Sequence, residues 1–206
     1  LESGRTVRSE RVLVAAGRVS KIEALDLDRI GLPTDQTGLI KVDEDYQADV
    51  EGVYAVGDVI GFPALVSTSM HQGRLAVLHS AGKERPAKTI LPMAIFTIPE
   101  ISTVGFSEEQ CREQGFPYEV GTARTAETPR GQIVGDEGLV KLIFRRDTKK
   151  ILGVHTIGIA ASELIHFGML LVHMGGTLDD ILSSVFNYPT MSEVYRIAAL
   201  DGMNRL

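Results

Sequence analysis

Val53-Tyr54-Ala55-Val56-Gly57-Asp58-Val59 is an apolar run closed by Gly-Asp and followed by further apolar residues and a proline. It reads as a short buried strand whose carboxyl end presents a backbone turn and one carboxylate. Ligands of open α/β sheets bind at that edge, which makes Asp58 the first candidate for a site. Taken alone, the same Gly-Asp is also an ordinary turn signal, with Asp58 fixing its own turn through backbone N–H groups.

Beyond this stretch come the loop Ile60-Gly61-Phe62-Pro63 and a helical pattern from about Ala64 to Ser80. Met70, Val77 and Leu78 are expected to face a sheet, with Gly73 and Ala76 allowing close packing. A helix amino end just after an Asp-bearing strand end offers unpaired N–H groups to a polar ligand edge. Asp58 would repel a phosphate, so its expected role is to accept hydrogen bonds from hydroxyls.

Before the stretch, residues 5–16 alternate and then turn apolar through Val12-Leu13-Val14-Ala15-Ala16 to Gly17-Arg18, the pattern of a buried strand with a tight turn. Leu25, Leu27, Ile30 and Leu32 form a short helical or looping apolar patch, and Leu39-Ile40-Lys41-Val42 reads as another short strand. The chain opens at Leu1-Glu2-Ser3-Gly4-Arg5 as though inside a strand connection, with no initiator Met, which suggests a piece of a longer polypeptide.

The polar, Pro-bearing residues 82–91 are expected to link this unit to a second one. The second opens with a strand over Met93 to Thr97, interrupted at Pro99-Glu100. Ser107-Glu108-Glu109-Gln110 has capping-box spacing and starts a short helix that ends near Gly115. Strands follow at about 118–124, 139–145 and 151–157, the last two joined by the polar turn Arg146 to Lys149. Helices then cover 160–174, 177–184 and 191–203, giving a mixed sheet with helices on one side, an α+β unit. The face Leu164-Ile165-Gly168-Met169-Val172 suits either the core or a subunit contact.

The 206 residues can bury one good core or two modest ones. A formal charge of -6 with intermixed signs supplies no basic stripe for a nucleic-acid backbone. Cys111 is the single cysteine, without a partner for a redox pair, and the five histidines are scattered, so no metal site is expected. No apolar run approaches the length of a membrane helix, and the expected setting is the cytoplasm. Phe186-Asn187-Tyr188-Pro189-Thr190-Met191-Ser192-Glu193 is a second stretch able to carry chemistry. Thr190 and Glu193 also have capping-box spacing, and Tyr188 is a poor proton acceptor at neutral pH.

Taken together, Leu13 to Arg18, Val53 to Asp58, Phe96-Thr97-Ile98-Pro99-Glu100-Ile101-Ser102-Thr103-Val104-Gly105 and Asn187 to Leu200 resemble the carboxyl-terminal part of the flavin-dependent pyridine nucleotide-disulfide oxidoreductase family. Within it the similarity is greatest to the soluble branch that exchanges hydride between NADPH and NAD+. The resemblance implies an α/β partial flavin-binding, Rossmann-like domain followed by an α+β interface domain that makes a homodimer. Residues 1–20 would close the NAD(P)-binding domain, 21–88 would be the returning half of the FAD-binding domain, and 89–206 the dimerisation domain. Gly57 and Asp58 would then bind FAD, Asp58 through the ribityl hydroxyls, and Ala64, Leu65, Val66 and Ser67 would bring backbone N–H groups to the isoalloxazine. Dihydrolipoamide dehydrogenases differ here, with a stretch closer to Met-Leu-Ala-His.

Disulfide reductases of the family carry a His before the Pro-Thr, paired with the Glu that matches Glu193. This chain has Tyr188 at that place, which argues against dithiol chemistry and for hydride exchange alone, with no catalytic residue in these 206 positions. No Gly-x-Gly-x-x-Gly phosphate loop occurs, so the chain by itself is expected to be inactive and to bind FAD weakly. Two alternatives stand beside this reading: another flavin reductase resembling dihydrolipoamide dehydrogenase, and a non-catalytic dimerisation fragment.

Overall fold

The computed structural model describes residues 3–84, 86 and 89–206. The chain divides into two compact units, residues 1–85 and 86–206. The expected linker at 82–91 includes three residues, 85, 87 and 88, that lie outside the described ones, as do Leu1 and Glu2 of the opening connection.

In the first unit, short turns carry most of the chain. Two 3-10 turns, Glu23–Leu25 and Leu27–Ile30, occupy the expected apolar patch. Isolated bridges Thr34↔Ile40, Val42↔Ala48 and Gln47↔Tyr54 follow. The polar connections between them are folded by their own aspartates. Asp35 Oδ1 accepts from the N–H groups of Thr37 and Leu39, and Asp43 Oδ1 from those of Asp45 and Gln47. Leu32, Ile40, Ala48 and Ala55 form a small core, with Val42, Val53 and Val59 packed against it. A 3-10 turn over Gly57–Ile60 leads to α1 (Val66–Ser80).

Three expectations for this unit are corrected. No strand forms over residues 5–16, where Leu13 is 92% exposed. A strand exists only through its ladder, and among the described residues no strand pairing or bridge includes this run, so apolar content alone leaves it exposed. For the same reason the strands expected at 39–42 and 53–59 shrink to single bridges. The face of α1 is also different: Met70 and Val77 are exposed, and the buried positions are Thr68, Gln72, Leu75 and Ala76. These recur at helical spacing, but two of them are polar, which hides the stripe from a search for apolar residues.

The second unit is a five-stranded sheet in the order β1-β2-β5-β4-β3, with β1 Met93–Ile95, β2 Glu100–Gly105, β3 Tyr118–Arg124, β4 Leu139–Arg145 and β5 Ile151–Gly158. Every pairing is antiparallel, so the expected mixed sheet is corrected. Short connections explain this, since a parallel pair needs a long crossover and β4 meets β5 through a five-residue connection. Between the strands lie α2 (Glu108–Glu113) and α3 (Pro129–Val134); α4 (Ala161–Met174), α5 (Leu178–Ser183) and α6 (Val194–Met203) complete the unit.

Period-two alternation sends Val140, Leu142 and Phe144 of β4 to one face, where Ile165, Ile181, Val194 and Ala198 of the three carboxyl-terminal helices cover them. Ile143 points the other way and packs with the wholly buried Cys111 of α2, so helices lie on both faces and not on one. Burial pushes the Cys111 thiol above its ordinary value, with Glu108 adding to the effect. The face Leu164-Ile165-Gly168-Met169-Val172 belongs to the core or packs on it.

Tight approach of backbone to backbone requires a glycine at position 121. A Cβ on Gly121 of β3 would overlap the carbonyl oxygen of Ala198 and lie 2.8 Å from the Gly202 nitrogen, so α6 rests directly on the strand. The amino end of α4 receives its cap from a distant strand: Glu100 Oε2 accepts from the Ser162 hydroxyl at 2.7 Å and from its N–H at 3.1 Å. The Ser162 hydroxyl, then its N–H, hold the Glu100 carboxyl below the usual range.

Candidate functional site

Val56 is extended, and the chain then turns at Gly57, whose φ of 80° no side-chain-bearing residue adopts readily. A Cβ there would lie 3.0 Å from Ser69 Oγ, so the turn sits tightly against the first turns of α1. The Gly57 N–H donates to Gln72 Oε1 at 2.7 Å, and the Val59 carbonyl accepts from the Ile40 N–H at 2.9 Å. These two bonds fix both ends of the turn, and Asp58 stands between them with its side chain 44% exposed.

Asp58 opens onto a cavity of about 960 Å³ whose wall also includes Arg18, Lys21, Thr37, Leu39, Phe62 and Ala64. The size suits a small organic ligand or part of a larger one. Its polar groups mix hydroxyl, cationic and carboxylate chemistry on a largely apolar wall. Arg18 Nη1 lies 3.4 Å from Asp58 Oδ2, but the arginine side chain is 86% exposed, and such a pair is weak and readily replaced.

The other residues expected in the site fall at one helix end. Ala64 lines the cavity. Leu65 is the extended residue before α1 and supplies no side-chain cap, so the first-turn N–H groups lack a side-chain acceptor. Val66 and Ser67 begin the helix and are exposed. Asp58 and Ala64 thus line the cavity, whereas Gly57 is buried against α1 behind Asp58 and Leu65, Val66 and Ser67 lie on the adjoining helix start, and none of these four is part of the cavity wall. Sequence reasoning left out Gln72 and placed Arg18 only in a turn. Gln72 was detectable as a polar residue at helical spacing between Thr68 and Ala76.

At the carboxyl end, Glu193 Oε2 accepts from the Thr190 N–H at 3.1 Å, and the Thr190 hydroxyl donates to the Asn187 carbonyl at 2.7 Å. Glu193 therefore closes the entry to α6 from the preceding 3-10 turn Met191–Glu193. Tyr188 is 73% exposed, and no hydrogen bond joins it to Glu193. Among the described residues no group of three or more His, Cys, Asp or Glu is placed to hold a metal ion, and no helix is long and apolar enough to cross a membrane.

Residues 91–199 match the family model for the dimerisation domain of pyridine nucleotide-disulphide oxidoreductases, and residues 1–73 match the model for pyridine nucleotide-disulphide oxidoreductases. The chain belongs to the pyridine nucleotide-disulphide oxidoreductase family. It therefore carries part of the family's α/β Rossmann-like domain followed by its dimerisation domain. It is 46% identical over 208 residues to a soluble pyridine nucleotide transhydrogenase of Mycobacterium bovis, covering 100% of this chain and 44% of that protein. To the one of Yersinia pestis it is 45% identical over 212 residues, again over the whole chain and 46% of the relative. The chain thus spans less than half the length of these oxidoreductases.

Among solved structures, LpdA of Mycobacterium tuberculosis superposes with a TM-score of 0.87 at 27% identity, over 96% of this chain and 44% of that one. The HOCl-induced flavoprotein disulfide reductase RclA of Escherichia coli gives 0.83 at 25% identity, over 90% and 44%.

Proposed function

We propose that these residues are the carboxyl-terminal part of a cytoplasmic, homodimeric FAD-dependent oxidoreductase, a Si-specific pyridine nucleotide transhydrogenase that passes hydride between NADPH and NAD+. In this reading residues 1–20 end the NAD(P)-binding domain, 21–88 form the returning half of the FAD-binding domain, and 89–206 are the dimerisation domain. The 45–46% identity to soluble pyridine nucleotide transhydrogenases supports it. The observation that carries it within the chain is Tyr188: an exposed phenol stands where a dithiol enzyme needs a base, and Glu193 is engaged on the Thr190 N–H.

The residues present fit a flavin's hydroxyl-bearing chain. Asp58 offers carboxylate oxygens to hydroxyls, Gly57 lets the backbone lie close, and the uncapped start of α1 over Leu65, Val66 and Ser67 offers N–H groups to polar atoms of the ring. The apolar wall, including Leu39 and Ala64, excludes water from beside them. Bound FAD supplies the group that takes hydride from one nicotinamide and gives it to another. The protein's part is to position and enclose.

A disulfide reductase is the second reading, favoured by the superposition on RclA, a flavoprotein disulfide reductase. Tyr188 weighs against it. The full-length polypeptide decides: stoichiometric FAD, and transfer of deuteride from labelled NADPH to an NAD+ analogue without any disulfide, are expected. NADPH oxidation that requires a disulfide substrate would establish the second reading instead.

A further inference from the structure

Resting on the flavin reading, we propose that Gln72 is a positioning residue that sets the conformation in which Gly57 and Asp58 meet the cofactor. Gln72 is only 5% exposed, yet it carries a polar amide into the interface between α1 and the Gly57–Ile60 turn. Its Oε1 takes the Gly57 N–H at 2.7 Å, a buried bond. The turn's own hydrogen bond runs from the Gly61 N–H to the Asp58 carbonyl at 3.1 Å and leaves the Gly57 donor unused. Without Gln72 that N–H would be buried and unpaired, which costs more than the bond itself is worth.

The neighbouring contacts leave little freedom for the turn to find another partner. Ser69 Oγ, against which Gly57 packs, donates to the Leu65 carbonyl at 2.9 Å. The far end of the turn is held by the Ile40 N–H on Val59. Among the described residues, Gln72 is therefore the side chain that hydrogen-bonds the backbone immediately before Asp58. A neutral amide does this without adding a negative charge one residue from the Asp58 carboxylate. A glutamate would preserve the acceptor and change the charge, so geometry and electrostatics are separable at this position.

The test measures the FAD dissociation constant of the full-length apoprotein by fluorescence titration, together with Tm, for the wild type, Gln72→Met, Gln72→Glu and Tyr195→Phe. Gln72→Met is expected to raise Kd about tenfold or more, and Gln72→Glu to keep it within about threefold of wild type because the acceptor remains. Tyr195→Phe, which loses a buried bond in the other unit, is expected to lower Tm with Kd unchanged. Should Gln72→Met not fold, Gln72→Asn withdraws the amide by one methylene and is expected to raise Kd likewise. An unchanged Kd in the Met or Asn variant overturns the proposal, as does a Kd that simply tracks Tm across all four proteins. A wild type with no affinity for FAD overturns the flavin reading and this one together, whereas wild-type affinity with unaffected Gln72 variants overturns this one alone.

Discussion

Tyr195 of α6 donates its hydroxyl to the backbone oxygen of Leu164 in α4 at 2.7 Å, deep in the core of the second unit. Phe167 meets the tyrosine ring edge-on at 4.8 Å between centroids. Burial raises the phenol above its ordinary pKa and keeps it a donor throughout the working range of pH. Tyr195→Phe keeps the ring and removes only the bond, and is expected to destabilise the unit by about 1–2 kcal/mol. Tyr195→Ala also opens a cavity and is expected to cost about 3–5 kcal/mol. Urea unfolding followed by circular dichroism measures both, and equal losses would mean that the hydroxyl, not the ring, carries the packing.

Asp58 is the side chain on which the flavin reading has its sharpest consequence. Asp58→Ala in the full-length protein is expected to weaken FAD binding at least tenfold, the scale of a lost charge-assisted hydrogen bond. Asp58→Asn retains one acceptor oxygen and is expected to lose less. Arg18→Ala removes the exposed partner at 3.4 Å and is expected to change affinity by no more than about threefold. Equilibrium dialysis against FAD gives all three values, and an undiminished affinity in Asp58→Ala would remove the residue from the site.

How far the sequence carried differs between the units for a physical reason. The strands expected at 118–124, 139–145 and 151–157 and the helix expected at 160–174 agree with β3, β4, β5 and α4 to within a residue at each end. Their signals are local: strand alternation, a polar turn and apolar residues at helical spacing, as the capping box of Ser107 with Gln110 is for α2. β2 was passed over because Pro99 precedes it and because Ser102 occupies a buried position that alternation assigns to an apolar residue. Its hydroxyl donates to the Met93 carbonyl at 2.8 Å, a partner visible only once β1 lies beside it. The short α3 was missed although Thr128 followed by Pro129 is a helix start, since Gly131 breaks a six-residue pattern. In the first unit the apolar runs at 12–16 and 53–56 looked like strands, but strand formation depends on partners that sequence patterning does not supply. The cavity around Asp58 was legible only as one carboxylate beside a helix start. The placing of Arg18 and Gln72 depends on backbone turns between residues far apart in the chain.

His155 on β5 makes the second unit sensitive to acid. Thr103 Oγ1 and His155 Nδ1 are hydrogen-bonded, and Nε2 faces the Phe106 carbonyl at 3.1 Å. Burial lowers the imidazole pKa, the Phe106 carbonyl opposes that, Lys141 across the ladder lowers it further, and Glu108 and Glu109 of α2 raise it. A folded-state pKa below the unfolded value of about 6.5 means that folding favours the neutral ring. The contribution is fully present above about pH 6.5 and is lost as pH falls toward the folded value. The carboxyls of Glu100 and Asp180, both lowered by hydroxyl and N–H donors, act on the same side but only below about pH 4.5. Stability measured by urea is expected to fall as pH drops below about 6.5 in the wild type. In His155→Gln, which cannot ionise, it is expected to be flatter there, and an identical slope would assign the acid sensitivity to other groups.

Tyr188 separates hydride exchange from dithiol chemistry by what its removal leaves intact. The phenol is 73% exposed and Glu193 accepts from the Thr190 N–H, and in the proposed reading neither group moves a proton. Tyr188→Phe in the full-length enzyme is expected to leave kcat for exchange between NADPH and an NAD+ analogue within about twofold, with no change in the pH profile, because general acid–base catalysis would contribute a hundredfold or more. Glu193→Gln keeps an acceptor for the Thr190 N–H and is expected to behave the same way. Glu193→Ala removes the bond and is expected to lower Tm through loss of the cap, by about 1 kcal/mol of stability, while kcat of the protein that remains folded is unchanged. A hundredfold loss of kcat in Tyr188→Phe, together with a shifted pH profile, would restore a proton-transfer role at this position and favour the disulfide reductase.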